Sequence, residues 1–246
     1  MRATRIIMAM PVVVEIVGGT EADLNTVFDY FTAVDERFSV YKPHSEISKI
    51  NRGELHLKDA SKEMQEVFVL SEKTREESDG YFSITKPDGT IDPSGLVKGW
   101  AIQNAAQLIE HMGYHDYYVE VAGDIQTKGV DEVGQPWSIG IRNPFNRNEI
   151  VKVLYPKGKG VATSGTAIRG QHIYNPHDLA QTFDDVVSLT VVGPNIYEAD
   201  RFATAAFAMG RGGVTFIEQL PAFDGYSIDS KGIATMTSGF EALTTL

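Results

Sequence analysis

The segment Asp92–Ala101 combines a polar turn with the start of a predicted helix. Free N–H groups and the dipole at a helix N-terminus favour an anion, and Lys98 would add a positive charge beside them. These properties suit phosphate binding. An ordinary helix cap made by Asp92 or Ser94 would give the same pattern, and the segment alone does not separate the two interpretations.

Asp200 and Thr204 stand four residues apart in a predicted helix, so that their side-chain oxygens project from one face. A carboxylate together with a hydroxyl suits Mg²⁺, which usually keeps water or phosphate oxygens in its other positions. An unremarkable helix face is the alternative, and the spacing alone favours that alternative.

The segment Gly160–Gly165 contains small and hydroxyl residues and precedes Arg169 and His172. A loop of this kind could surround a phosphate with backbone N–H groups and present His172 for proton transfer. A surface hairpin is the alternative. The turn 122–124, Ala-Gly-Asp, is likewise either a ligand-facing turn or a hairpin corner, and Ser164 lacks the G-x-S-x-G surroundings of a hydrolase nucleophile.

Composition and missing motifs exclude several classes of protein. The 246 residues include no cysteine, which excludes disulfides, thiolate metal sites and a cysteine nucleophile. The net charge is −11 and no basic run is present, so no nucleic-acid partner is expected. The chain also lacks G-x-G-x-x-G and G-x-x-x-x-G-K-[ST], which argues against Rossmann and P-loop nucleotide sites.

No segment reaches the roughly 18 apolar residues of a membrane span. The first residues, Met1–Arg5, pass into strand-like sequence without a signal-peptide core. We therefore expect a cytoplasmic protein, or an exported or lipid-anchored one if a leader was removed.

Hydrophobic periodicity predicts the elements that must position these residues. Apolar residues at helical spacing predict helices from Thr20, as N-cap, to about Phe38, over Lys62–Glu77, from about Leu96 to Met112, and over 197–209. Alternating or continuous apolar runs predict strands, with glycine turns between several of them; these runs are Pro11–Val17, Tyr117–Val121, Trp137–Ile141, Val151–Leu154, Val186–Val192, Tyr226–Ile228 and Ile233–Met236. The irregular alternation of helices and strands, without a linker, predicts one α+β domain over 1–246.

Seven segments, in this order and spacing, resemble the ApbE family from about Met8 to the C-terminus. They are the run Phe38–Asn51 with its F-S-x-Y and S-E-I-S-x-I-N signatures, D-P-S-G-x-x-K-G-W-A at 92–101, A-G-D at 122–124, P-W-x-I-G-I-R-x-P at 136–144, A-T-S-G at 162–165, R-G-x-H-I-x-x-P at 169–176, and A-D-x-x-x-T at 199–204.

The resemblance implies an α+β fold of the T-fold-like ApbE type, with a mixed or antiparallel sheet packed with helices. It also implies FAD as donor, Mg²⁺ as cofactor and an acceptor flavoprotein. Family members transfer FMN to a Thr or Ser hydroxyl of that partner through a phosphoester and release AMP. A magnesium-dependent FAD pyrophosphatase and a non-catalytic flavin-binding module remain alternatives, and a homodimer remains possible.

Residue by residue, the resemblance implies a flavin or adenine pocket, a metal site and a catalytic histidine. The pocket residues would be Met8, Tyr41, Tyr81, Phe82, Asp92, Lys98, His172 and Ile173. The metal would be held by the carbonyl of Gly95 with Asp200 and Thr204, and His172 would serve in catalysis. The chain departs from the family pattern chiefly at Ser83, where a carboxylate is usual, and at Tyr197, where some relatives have a metal-side Asp.

Overall fold

The centre of the fold is an antiparallel sheet, seen in a computed structural model that describes residues 1–166, 173–178 and 185–245. Within those residues the sheet has eight strands in the order β1-β2-β3-β4-β7-β8-β9-β10, and β5 and β6 form a separate hairpin. The strands are β1 (Arg2–Ile7), β2 (Met10–Ile16), β3 (Tyr117–Val121), β4 (Asp124–Lys128), β5 (Ile139–Asn143), β6 (Asn146–Leu154), β7 (Gly160–Gly165), β8 (Val186–Gly193), β9 (Asp224–Asp229) and β10 (Ala234–Met236).

Six α-helices are described, and two of them carry four of the predicted site residues, Gly95, Lys98, Asp200 and Thr204. The helices are α1 (Glu21–Phe38), α2 (Glu46–Asn51), α3 (Lys62–Glu77), α4 (Ser94–His111), α5 (Ile196–Ala208) and α6 (Gly213–Gln219). Thr20 begins α1 with a capping box, because its hydroxyl accepts from the Asp23 N–H while the Asp23 carboxylate accepts from the Thr20 N–H. None of the described helices is both long enough and apolar enough to cross a membrane.

The sheet is covered on both faces. On one face Val14 of β2, Val119 of β3 and Val191 of β8 belong to the core cluster that includes the apolar stripes of α1, α4 and α5. On the other face a smaller cluster joins the β5–β6 hairpin to the sheet and to the C-terminal turn; it includes Ile125, Ile139, Ile141, Leu154, Val161, Val192 and Phe240. Successive side chains of a strand point to opposite faces of the sheet, so the neighbours Val161 and Ala162 belong to different clusters.

Two tight turns meet at one end of the sheet. Met8 and Ala9 between β1 and β2 have φ values of 55° and 56°, and Ala122 and Gly123 between β3 and β4 have 51° and 96°. Two successive residues with positive φ are what a two-residue type I′ hairpin requires. The turns are neighbours, since the Ala122 N–H donates to the Pro11 carbonyl at 3.2 Å.

Most of the predicted elements agree with the structure to within a few residues, and α3 and β3 agree at both ends. The α+β class with an antiparallel sheet is confirmed. The loop expected at Gly160–Gly165 is wrong: these residues form β7, whose backbone pairs with β4 and β8. The hydrophobic pattern did not reveal this strand because its side chains are small or polar.

Candidate functional site

A cavity of about 580 Å³ opens at the end of the sheet where the two tight turns meet. Its size lies within the range of roughly 300–1,000 Å³ that is usual for small-molecule sites. One part is lined by apolar side chains of the sheet and the β5–β6 hairpin, among them Ile125, Ile139 and Ile141. Another part is lined by charged and hydroxyl groups from α4 and α5. Such a cavity suits a ligand with a flat apolar portion and an anionic portion.

The structure brings eight of the predicted site residues to this cavity. They are Tyr81, Phe82, Asp92, Gly95, Lys98, Ile173, Asp200 and Thr204. Two do not line it. Met8 lies in the β1–β2 turn and packs partly buried against the main core, and Tyr41 is 90% exposed. The remaining one, His172, lies outside the described residues.

Asp200 is buried on α5 and faces α4. Its Oδ2 accepts the Gly99 N–H at 2.7 Å, and its Oδ1 lies 3.6 Å from the Lys98 ammonium. The pKa of Asp200 is raised to about 8, because burial and the nearby carboxylate of Asp124 raise it more than the positive charge of Lys98 lowers it. A buried carboxylate of this kind gains from a cation beside it.

One helical turn along α5, the Thr204 hydroxyl donates to the Gly95 carbonyl at 3.3 Å. Asp200, Thr204 and Gly95 thus offer a carboxylate, a hydroxyl and a carbonyl oxygen on two packed helices, a donor set that fits Mg²⁺. Among the described residues, no group of three Asp, Glu, His or Cys side chains is placed to hold a metal. A cation here would therefore depend on the hydroxyl, the carbonyl and the oxygens of a substrate or water.

Asp92 acts on the start of α4 without being its N-cap residue. Its Oδ1 accepts the Ser94 N–H at 3.1 Å, and its Oδ2 lies 2.7 Å from the Lys86 ammonium. Burial alone would raise the pKa of Asp92, but the hydrogen bonds from Lys86 and Ser94 hold it below its ordinary value. Pro93 is the N-cap residue of α4, so neither Asp92 nor Ser94 is the helix cap that the sequence allowed, although the Asp92 carboxylate accepts the N–H of the first helical residue. Lys86 also lines the cavity, and no sequence motif indicated it.

Tyr81 contacts the segment 173–178, which also lines the cavity. The ring of His177 meets that of Tyr81 edge to face, with centroids 4.6 Å apart, and its Nε2 lies 2.7 Å from the Asp79 carbonyl. The Tyr174 hydroxyl donates to the Thr85 carbonyl at 2.8 Å. These contacts close one wall of the cavity with residues 173–178.

Ser83 and Tyr197, the two positions at which the chain departs from the family pattern, differ in their position relative to the cavity. Ser83 lines it, and its hydroxyl donates to the Thr85 carbonyl at 3.0 Å. Tyr197 does not line it; its ring lies 5.4 Å from the Arg201 guanidinium. A carboxylate at position 83 would point toward a ligand, whereas position 197 is taken up by packing.

Sequence reasoning did not single out Asp124 as a site residue. Its side chain is buried, its Oδ1 accepts the Thr163 N–H at 3.0 Å, and its Oδ2 lies 2.5 Å from the Lys98 ammonium. The available signal was the turn 122–124, which places Asp124 as the first residue of β4. The turn is a hairpin corner between β3 and β4, and its residues Ala122 and Gly123 also line the cavity.

Comparisons with known proteins agree with the fold. The model of the ApbE family matches residues 8–87 and 85–226. The chain is 31% identical over 133 residues to FAD:protein FMN transferase of Vibrio cholerae, covering 50% of this chain and 40% of the relative. It is 30% identical over 139 residues to the protein of the same name from Escherichia coli K12, covering 53% and 40%. The matched region thus spans about 40% of the length of these curated relatives.

Solved structures extend the likeness over the whole chain. Flavin transferase ApbE of Vibrio cholerae superimposes with a TM-score of 0.85 at 19% identity, covering 99% of this chain and 98% of that one. The ApbE protein of Thermotoga maritima gives 0.86 at 19% identity, covering 100% and 99%. At this identity the likeness shows the fold, and the family follows from the sequence match over residues 8–226. The chain belongs to the ApbE family.

Proposed function

We propose that this protein is a magnesium-dependent FAD:protein FMN transferase, which attaches FMN to a Thr or Ser of an acceptor flavoprotein and releases AMP. The observation that carries the proposal is one cavity in which an apolar wall adjoins Lys98, Asp200, Thr204 and the Gly95 carbonyl. The apolar wall suits a flavin ring, and the charged region suits a diphosphate. The names of the relatives from Vibrio cholerae and Escherichia coli support the same reaction.

In the proposed reaction, the acceptor hydroxyl oxygen attacks the phosphorus on the FMN side of the diphosphate. A new P–O bond forms, the bond from that phosphorus to the bridging oxygen breaks, and AMP leaves with the bridging oxygen. The hydroxyl proton must pass to a base, and we assign this role to His172, because the unperturbed pKa of histidine lies near neutrality. Lys98 would face the phosphates as a fixed positive charge.

Asp200, Thr204 and the Gly95 carbonyl would hold the Mg²⁺. When bound, the ion would neutralise phosphate oxygens and the charge that develops on the leaving group. The chain's own contribution is placement: two helices set the ligand oxygens, and α4 also carries Lys98. Positioning of this kind supplies much of the rate gain in phosphoryl transfer.

Incubation with FAD and Mg²⁺, with and without an acceptor peptide that contains Thr, tests the proposal. We expect AMP and an FMN-sized mass increase on the peptide, both dependent on the peptide. AMP release at full rate without peptide would refute the transferase proposal and favour the FAD pyrophosphatase. Tight FAD binding without any AMP release, with or without peptide, would refute the transferase proposal and favour a non-catalytic flavin-binding module.

The variant Asp200→Ala tests the metal assignment. We expect it to lose transfer while its circular dichroism spectrum stays that of the folded protein. Asp29→Ala is the matched control, because Asp29 is an exposed Asp on α1 that does not line the cavity. Full activity of Asp200→Ala at limiting Mg²⁺ would refute the assignment.

A further inference from the structure

Asp124, a buried residue of the sheet, contacts the charged region of the cavity through Lys98. The type I′ turn at Ala122 and Gly123 returns the chain so that Asp124 begins β4. Its carboxylate is fixed on one side by the Thr163 N–H of β7, at 3.0 Å, and its other oxygen lies 2.5 Å from the Lys98 ammonium. A buried carboxylate held by a strand and a turn has little freedom to move.

Lys98 therefore lies between two buried carboxylates at unequal distances. Its ammonium is 2.5 Å from Asp124 Oδ2 and 3.6 Å from Asp200 Oδ1. Lys98 is thus ion-paired more closely with Asp124 than with Asp200. With both carboxylates ionised, the three groups carry a formal charge of −1 together.

We propose that Asp124 is a positioning residue, which holds the Lys98 ammonium beside β4 and so leaves Asp200 free to bind the divalent cation. This inference rests on the proposed function, since it concerns the cation site of the same cavity. The reason is competition: an ammonium and a metal ion cannot both approach the same Asp200 oxygen. Among the described residues, the second carboxylate paired with Lys98 is Asp200, and a closer salt bridge there after loss of the Asp124 charge would oppose the cation.

Direct measurement of cation binding tests the inference without reference to turnover. Mn²⁺ is the probe, because it shares the oxygen preference of Mg²⁺ and its free form is quantified by electron paramagnetic resonance. Asp124→Asn removes the charge but keeps an oxygen for the Thr163 N–H. We expect it to raise the Kd for Mn²⁺ about tenfold, the lower end of the usual effect of residues that orient metal ligands. Asp131→Asn is the matched control, because Asp131 also accepts backbone N–H groups in a turn but lies outside the cavity.

The decisive comparison repeats Asp124→Asn in a Lys98→Gln background. If Asp124 acts through Lys98, the substitution changes the Kd there by less than about twofold, since the competing ammonium is gone. An equal loss of affinity in both backgrounds would overturn the inference, because Asp124 would then act on the cation directly.

Lys98→Gln alone gives a second test that does not depend on the folding of Asp124→Asn. The inference expects Mn²⁺ to bind more tightly than in the wild type, and weaker binding would overturn it. The proposed metal site has its own control in Asp200→Asn. If that variant binds Mn²⁺ as the wild type does, the metal site is wrong and the Asp124 inference falls with it. If Asp200→Asn does weaken Mn²⁺ binding, but Asp124→Asn raises the Kd equally in the wild-type and Lys98→Gln backgrounds, the metal site stands and only the Asp124 inference is refuted.

Discussion

Gly99 of α4 is the residue at which the stability of the fold and the geometry of the site are most directly linked. A β-carbon added there would lie 2.5 Å from Cβ of Asp200 and 2.8 Å from the Ile196 carbonyl oxygen. Because Ile196 contributes backbone rather than a flexible side chain, α5 itself must move to relieve the contact. The Gly99 N–H also donates to Asp200, so the same movement displaces the proposed metal ligand.

The expected magnitude for Gly99→Ala follows from two opposing effects. Alanine within a helix is favoured over glycine by about 0.5–1 kcal/mol, whereas an overpacked contact costs about 1–3 kcal/mol or more. With the clash directed at backbone, we take the upper end and expect a net loss of about 2 kcal/mol in the free energy of unfolding. For a chain of this size that lowers the Tm by roughly 4–8 °C.

Gly95→Ala is the matched control in the same helix. Its added β-carbon would lie 3.4 Å from Cγ2 of Thr204 and 3.5 Å from Cε2 of Phe82, which are ordinary van der Waals distances. We expect its Tm to equal or exceed that of the wild type by up to about 4 °C, from helix propensity alone. Thermal unfolding followed by circular dichroism measures both variants. A Gly99→Ala protein as stable as Gly95→Ala would refute the idea that glycine is needed for the approach of α5.

Three further predictions concern other parts of the structure. Arg201→Ala should lower the free energy of unfolding, measured by urea denaturation, by about 3 kcal/mol, because it removes the buried cation that pairs with Glu77 and Glu198. Arg211→Ala is the control: Arg211 pairs with Asp185 at the surface, and its loss should change the free energy of unfolding by less than about 0.5 kcal/mol. Ala122→Gly should raise the free energy of unfolding by about 0.5–1 kcal/mol, because Ala122 has a φ of 51°, a backbone conformation that strains alanine but not glycine. Ala22→Gly in the helix α1 should lower it, and a lower free energy of unfolding for Ala122→Gly would contradict the idea that Ala122 is strained. Because Asp92 has a lowered pKa in the folded state, its contribution to stability is present above its unfolded pKa and is lost as pH falls through its folded pKa. The Tm difference between the wild type and Asp92→Asn should therefore be largest near pH 6 and shrink below about pH 4, and a difference that grows toward acid pH would refute the assignment.

Local patterns in the sequence predicted the fold wherever one face of an element is apolar. The stripe of α1 and the alternation of Tyr117–Val121 are examples, since each pattern results directly from burial on one face. The same reasoning failed at β7, whose Gly160, Ala162 and Ser164 carry little hydrophobic signal. That strand is specified by pairing with β4 and β8, which depends on residues distant in the sequence.

The candidate site shows the same limit more sharply. Spacing within one helix placed Asp200 and Thr204 on a common face, the polar turn before a helix indicated Lys98, and the resemblance to a family supplied Gly95. No spacing relates Asp124 to Lys98, because the two lie 26 residues apart on a strand and a helix, and their contact exists only after the sheet and α4 have packed. Lys86 was missed for the same reason, since its partner Asp92 lies across a turn and no motif marks the lysine.

The position of the charged groups at a helix crossing explains why the site needs a glycine at position 99. Gly99 lets α5 approach α4 closely enough for a backbone N–H to reach Asp200. A larger residue there would stabilise α4 by propensity but would separate the oxygens that face the cavity. Between the helices and the sheet, Lys98 joins Asp200 to Asp124, so a shift of any one element changes the charge distribution that a diphosphate would meet. A larger residue at Gly99 should therefore alter ligand binding and stability together, whereas Asp29→Ala on the exposed face of α1 should leave ligand binding unchanged.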